Sequence, residues 1–210
     1  MIQARQLASR GELLSLLAIV TLALVVSRIQ PHDVMTWLLE VMPVLLVVPL
    51  LIFTGKRFPL TPLCYRLIAL HALILILGGH YTYAEVPLGF WIQDLFDLSR
   101  NPYDRIGHLA QGFVPALVAR EILLRKTPLQ RGGWLFLLTV SICLAFSAFY
   151  ELIEWWVAII AGLSAEAFLG TQGDIWDTQW DMFLALVGAI TALLSLSRVQ
   201  DGQLRRMGVS

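Results

Sequence analysis

Residues 133–161 read GWLFLLTVSICLAFSAFYELIEWWVAIIA, a run whose only charges are Glu151 and Glu154. Its length decides the fold. A helix needs roughly 20 apolar residues to cross the hydrocarbon core of a bilayer. This stretch exceeds that, so it reads as a membrane helix that tilts or projects beyond the core. The two glutamates lie in its second half, about one helical turn apart. An acid at the centre of a membrane helix costs about 2.5–3.5 kcal/mol, and less towards the interface. Two in one span ask for a reason.

The rest of the chain reads the same way. Of 210 residues, 58% are hydrophobic and 14% charged, against roughly 45–50% and about 25% in soluble domains. That excludes a soluble enzyme and a disordered regulator, and no nucleic acid partner is expected. Further apolar stretches at 12–28, 34–54, 63–83, 105–124 and 179–196 bring the expected total to about six spans. Pro43 and Pro49 predict a bend in the second, since each removes a backbone hydrogen bond. The expected fold is all-α: a polytopic membrane helical bundle, with residues 1–210 as a single integral membrane domain. Arg5 and Arg10 before the first apolar run suggest a signal peptide. No A-x-A-like cleavage site follows, so a retained first helix is expected. Cys64 and Cys143 lie in apolar runs without a CxxC partner and read as small core residues.

A formal charge of zero, from 15 basic and 15 acidic residues, hides a polarity. With alternating spans, every Lys and Arg except Arg28, Arg100 and Arg105 falls on the side of the N-terminus. By the positive-inside rule both termini are expected to be cytoplasmic. Every acid except Glu12, Glu121 and Asp201 falls at or near the opposite, outward side. Two outward connections are long. One carries Leu88, Trp91, Ile92, Leu95 and Phe96 at i, i+3, i+4, i+7, i+8, the pattern of a short amphipathic helix near 88–98 in the membrane surface. A loop packed on the bundle by its aromatics is the alternative. The other, residues 162–178, holds Gly170, Gly173 and acids but no Lys or Arg.

Three segments carry polar groups to this outward level. In YDRIGHLAQG (103–112), Asp104, His108 and Gln111 share a helix face. In SAFYELIEWW (147–156), Ser147, Glu151 and Glu154 do the same. In GTQGDIWDTQWDM (170–182), Asp174, Asp177 and Asp181 share a face if the helix has already begun. The only fixed positive charge within these motifs is Arg105. The excess of carboxylates demands protons, solvent or a bound cation. His108 with carboxylate oxygens suits Zn, Mn or Fe, and an all-oxygen subset suits Mg or Ca. The expected ligands of a divalent metal are Asp104, His108, Glu151, Glu154, Asp177 and Asp181, with Glu151, Glu154 and His108 as the catalytic groups.

Plainer readings compete. His108 also fits a helix-start histidine bonded to a carboxylate or the backbone. Asp177 and Asp181 fit a helix N-terminus, where the dipole favours acids. Asp174 fits a solvated loop. Glu151 and Glu154 resist such accounts best. Glu40, His80, Tyr81, Tyr83 and Glu85 are secondary candidates. His71, near mid-membrane, reads as a core residue. Trp155, Trp156, Trp176 and Trp180 read as an interfacial aromatic belt. The spacing matches no HExxH signature.

In the stretches YDRIGHLAQGFVPA (103–116), YELIEWW (150–156) and FLGTQGDIWDTQWDM (168–182), the chain resembles the YjdF-like family of bacterial inner-membrane proteins. The resemblance extends over most of the chain. It implies a multi-pass inner-membrane protein and assigns no catalytic residues. A fainter likeness, in order and spacing alone, links Asp104-Arg105 with His108, Glu151, Asp177, Asp181 and Gly188 to VanZ-like membrane proteins. It implies cell-envelope chemistry without naming a substrate. Three functions fit these residues. The first is a divalent-metal-dependent enzyme acting on a lipid or lipid-linked substrate. The others are a cation- or proton-coupled transporter and a non-enzymatic binding or scaffold protein. The lipid bilayer is the one partner expected in all three, and oligomeric state is not legible.

Overall fold

The computed structural model describes residues 7–161 and 169–209. Among these the chain forms seven helices and no strand. They are α1 (Arg10–Ser27), α2 (Val34–Thr54), α3 (Pro62–Tyr81), α4 (Pro87–Phe96), α5 (Tyr103–Lys126), α6 (Gly133–Ala161) and α7 (Asp177–Arg206). A 3-10 turn, Tyr83–Glu85, leads from α3 to α4. Arg5 and residues 162–168, the first part of the acidic connection, lie outside the described residues.

Local chemistry starts the helices where they start. Ser9 accepts from Glu12 N–H at 3.0 Å at the head of α1, and Asp33 accepts from Thr36 N–H at 2.7 Å at the head of α2. These bonds satisfy donors that a helix leaves unpaired at its first turn. The same bond holds the Asp33 carboxyl below its ordinary range. α2 runs on through Pro43 and Pro49. α7 extends ten residues further than its apolar stretch predicts, because helical bonding does not stop where hydropathy does. Its buried Gln200 donates to Leu117 O at 2.7 Å and ties this extension to α5.

Five helices, α1, α2, α3, α6 and α7, are long and apolar enough to cross a membrane. α5 has 24 residues, enough in length, but its ionisable groups deny it the apolar composition. It is the polar helix of the bundle and turns those groups inward: Asp104, His108, Arg120 and Glu121 are all buried. α1, α2 and α3 pack around Val20, Trp37, Val41 and Ile76. α3, α5, α6 and α7 share the core of Cys64, Ala116, Leu117, Cys143 and Ala189. Both cysteines are free and buried, as their apolar surroundings suggested.

The closest approach is between α5 and α7, which run in the same direction. A Cβ on Gly112 would collide with Ala185 O, and one on Gly188 with Leu109 O. Ala116, Ala185, Ala189 and Ala192 along the same seam are completely buried. Small residues let two membrane helices meet backbone to backbone. α6 runs antiparallel beside them, so the start of α5, the start of α7 and the second half of α6 share one end of the bundle. This is the acidic end. α4 lies there with Leu88, Trp91, Leu95 and Phe96 exposed, so its apolar stripe faces away from the bundle, as a helix in a membrane surface would. Trp155, Trp156, Trp176 and Trp180 are exposed as well.

Widening the α5–α7 seam should unfold the protein. Overpacking costs about 1–3 kcal/mol in ordinary cores, and here the obstacle is backbone. Gly112→Val and Gly188→Val are expected to lower the melting temperature of detergent-purified protein sharply. Gly202→Ala, on the same helix but facing open space, should leave it unchanged or slightly raised.

Candidate functional site

The site is built where the α5–α7 seam reaches the acidic end. One turn above Gly112 stands His108, and one turn above Ala185 stands Asp181. One turn further are Asp104 and Asp177. All four side chains are buried. α6 adds Glu151 and Glu154, also buried, together with a fully buried Ser147. The three segments singled out by their spacing thus meet, although they are distant in sequence.

The groups divide into two layers. In the outer layer every carboxylate has an arginine. Arg100 donates to Asp177 Oδ1 at 2.5 Å and to Gly170 O at 3.0 Å, and lies 3.6 Å from both Asp104 and Asp174. Arg105 pairs with Asp174 at 3.0 Å and stands 5.5 Å above the Trp180 ring. Arg105 is joined by a second counter-charge from outside the motifs: Arg100, in the preceding loop, is drawn in to 9% side-chain exposure. Asp174 keeps 22% side-chain exposure but is ion-paired, and it precedes the helix. α7 begins at Asp177, and Asp174 sits in the turn before it, accepting from Trp176 N–H at 3.0 Å.

The inner layer has no arginine. His108 is its centre. Nε2 lies 3.4 Å from Asp104 Oδ1 and 3.8 Å from Asp181 Oδ1. Nδ1 lies 2.8 Å from Gln111 Oε1 and 3.8 Å from Glu151 Oε1. Two sets of ligand atoms, one from Asp104, His108 and Asp181 and one from His108, Glu151 and Glu154, each fall within 4.8 Å of one another. Glu151 Oε1, Asp181 Oδ1 and Ser147 Oγ are buried without a hydrogen-bond partner. Buried polar atoms in proteins almost always have partners. Two of them, Glu151 Oε1 and Asp181 Oδ1, lie 3.8 Å from the His108 ring nitrogens.

Of the secondary candidates, Glu40 and Tyr83 join the site and the others do not. Tyr83 is wedged between α3 and α5, where a Cβ on Gly78 or Gly107 would come within 2.7 Å of its ring. Burial holds its phenol well above its ordinary range, so the hydroxyl stays a donor, hydrogen-bonded to the buried Glu40. His80 is instead a joint: its Nδ1 lies 2.9 Å from Ser27 O. Tyr81 and Glu85 are exposed. Asn101 and Gln172 had no sequence signal as a pair. Asn101 N–H donates to Gln172 Oε1 at 3.1 Å and Gln172 Nε2 returns to Asn101 O at 3.0 Å. That double bond pins the turn before α7 to the head of α5 and holds Arg100 over the acids.

Residues 12–202 match the model of a family described as a predicted membrane protein, DUF2238. The inner membrane protein YjdF of Escherichia coli (strain K12) is 56% identical over 189 residues, 90% of each chain. No solved structure matches.

Removing one partner of a buried ion pair typically costs 3–5 kcal/mol, because the other charge stays buried and unpaired. Arg100→Gln should therefore destabilise far more than Arg105→Gln, whose side chain is 34% exposed. The double variant Arg100→Gln/Asp177→Asn should recover part of the loss. Melting curves of these three variants and of Asp177→Asn alone, against wild type, measure the coupling.

Proposed function

The chain belongs to the DUF2238 family of predicted membrane proteins, and from that premise we propose an activity for its acidic end. The protein is a multi-pass protein of the bacterial inner membrane. Its termini face the cytoplasm and its acidic end faces outward. There a divalent cation (Zn, Mn or Mg) bound at His108 serves chemistry on a lipid or lipid-linked envelope substrate. The observation that carries the reading is the set of unpartnered carboxylate oxygens around a buried histidine. Bringing such charges out of water without compensation is costly, and a cation supplies the compensation.

The chemistry suited to this centre is hydrolysis or transfer at a phosphoryl or carbonyl group. A cation held by His108 and the carboxylates beside it would supply polarisation of the substrate oxygen. Glu151 or Glu154 takes a proton from water or another hydroxyl as its oxygen bonds to phosphorus or carbon. The bond to the leaving oxygen breaks, and that oxygen takes up the proton. The exposed apolar face of α4 and the exposed tryptophans at the same end of the bundle fit a substrate held in the bilayer. A transporter is less well supported. At the opposite end, Glu121 is wholly enclosed and accepts from Thr61, Arg125 and Gln200. Between the ends lie Ala116, Leu117, Cys143 and Ala189, part of a predominantly apolar core.

Elemental analysis of detergent-purified protein should find a divalent metal in near-stoichiometric amount, absent from His108→Ala. After chelation, adding the metal back should raise the melting temperature of wild type but not of His108→Ala. Metal-free protein whose melting is indifferent to Zn, Mn and Mg would sink this reading.

A further inference from the structure

Taking that cation reading as given, we propose that the ion binds on the Nε2 side of His108, between Asp104 and Asp181. Gln111 is the positioning residue that holds the ring in the required tautomer. The two sides of the imidazole are not equivalent. On the Nδ1 side, Gln111 Oε1 lies at 2.8 Å. An amide oxygen only accepts, so Nδ1 must carry the hydrogen and donate. A nitrogen that carries hydrogen has no lone pair for a metal. Nε2 faces carboxylates instead. Its neighbours are Asp104 Oδ1 at 3.4 Å and Asp181 Oδ1 at 3.8 Å.

These distances suit an ion between the three atoms. Around a tetrahedral ion with bonds of about 2.1 Å, neighbouring ligand atoms stand about 3.4 Å apart. Asp181 Oδ1, on a side chain only 3% exposed, has no hydrogen-bond partner. A ligating histidine characteristically donates its other ring N–H to an oxygen that fixes its orientation, and Gln111 occupies that place one turn along α5. The remaining carboxylates then have other tasks. Asp177 is committed to Arg100. Glu151 Oε1 lies 3.8 Å from Nδ1, a nitrogen that cannot bind metal while it carries the hydrogen. Three protein ligands leave the ion an open position.

Calorimetric titration of chelator-stripped, detergent-purified protein with Zn2+ tests the assignment, with metal-free melting curves to show that each variant is folded. Asp181→Asn, which keeps shape and removes charge, should weaken binding at least 100-fold, and Glu151→Gln should stay within a few-fold of wild type. Gln111→Leu should weaken binding about 10–100-fold. Gln111→Glu should restore it, since a carboxylate can only accept from Nδ1–H. Loss of binding in Glu151→Gln with retention in Asp181→Asn would move the ion to the Nδ1 side and overturn the assignment, leaving the cation centre itself standing. Unchanged binding in Gln111→Leu would remove the role of Gln111. A wild-type protein that binds no Zn2+, Mn2+ or Mg2+ would overturn both.

Discussion

The meeting of Gly112 with Ala185 O, and of Gly188 with Leu109 O, fixes nearly everything else in this protein. Membrane helices gain little from hiding apolar side chains from equally apolar lipid, so close packing and polar contacts must hold them together. α5 and α7 touch along residues spaced by four on each helix: Asp104, His108, Gly112 and Ala116 against Asp177, Asp181, Ala185 and Ala189. The small members bring the backbones together. The polar members, carried up the same ridges, are then forced face to face. The seam that stabilises the bundle is the seam that assembles the site.

Because α5 and α7 are parallel, both present their N-termini to the acidic end. Each helix start bears partial positive charge, which favours the acids gathered there. The dipoles do not balance the site alone. Arg100 and Arg105 divide it into a paired outer layer and an unpaired inner one. That division matters chemically. The arginines stand between the inner carboxylates and the aqueous end of the bundle, and Asn101 with Gln172 keeps them in place.

Much of this was legible in the sequence. The apolar stretches gave the helices to within a few residues except at the end of α7, which runs ten residues on, to Arg206, and α4 appeared as a pattern of five apolar positions. Asp104, His108, Glu151, Glu154, Asp177 and Asp181 all converge as their helical spacing and shared level implied. What escaped was pairing across long separations. Arg100 lies in coil beside an interface, where an arginine ordinarily reads as solvated, and nothing local links it to Asp177. Asp174 looked helical because its spacing to Asp177 is three, but a turn with Gly170 and Gly173 in left-handed conformations precedes the helix. The α5–α7 seam did have a signal: Gly112-x-x-x-Ala116, Ala185-x-x-x-Ala189 and Gly188-x-x-x-Ala192 are small-residue repeats of the kind that join membrane helices. Only Gly188 drew attention, as part of a faint family likeness.

The two ends of the bundle, compared, show why the unpartnered oxygens carry weight. Glu121 is more deeply buried than any carboxylate of the acidic end, with no exposure at all. Yet it accepts from Thr61 N–H, Thr61 Oγ1–H and Arg125 within 3.2 Å. Arg120 meanwhile reaches Gln200 and Asp201 at 2.9 Å each. The same fold, on the same helices, can supply a buried acid with every partner it needs. At the other end it also buries Glu151 and Asp181, and supplies one oxygen of each with no partner. Unpaired buried charge opposes folding by several kcal/mol, so an arrangement that keeps it needs a compensating gain. A ligand that arrives with its own positive charge would provide one, and that is the ground for the cation proposed at His108.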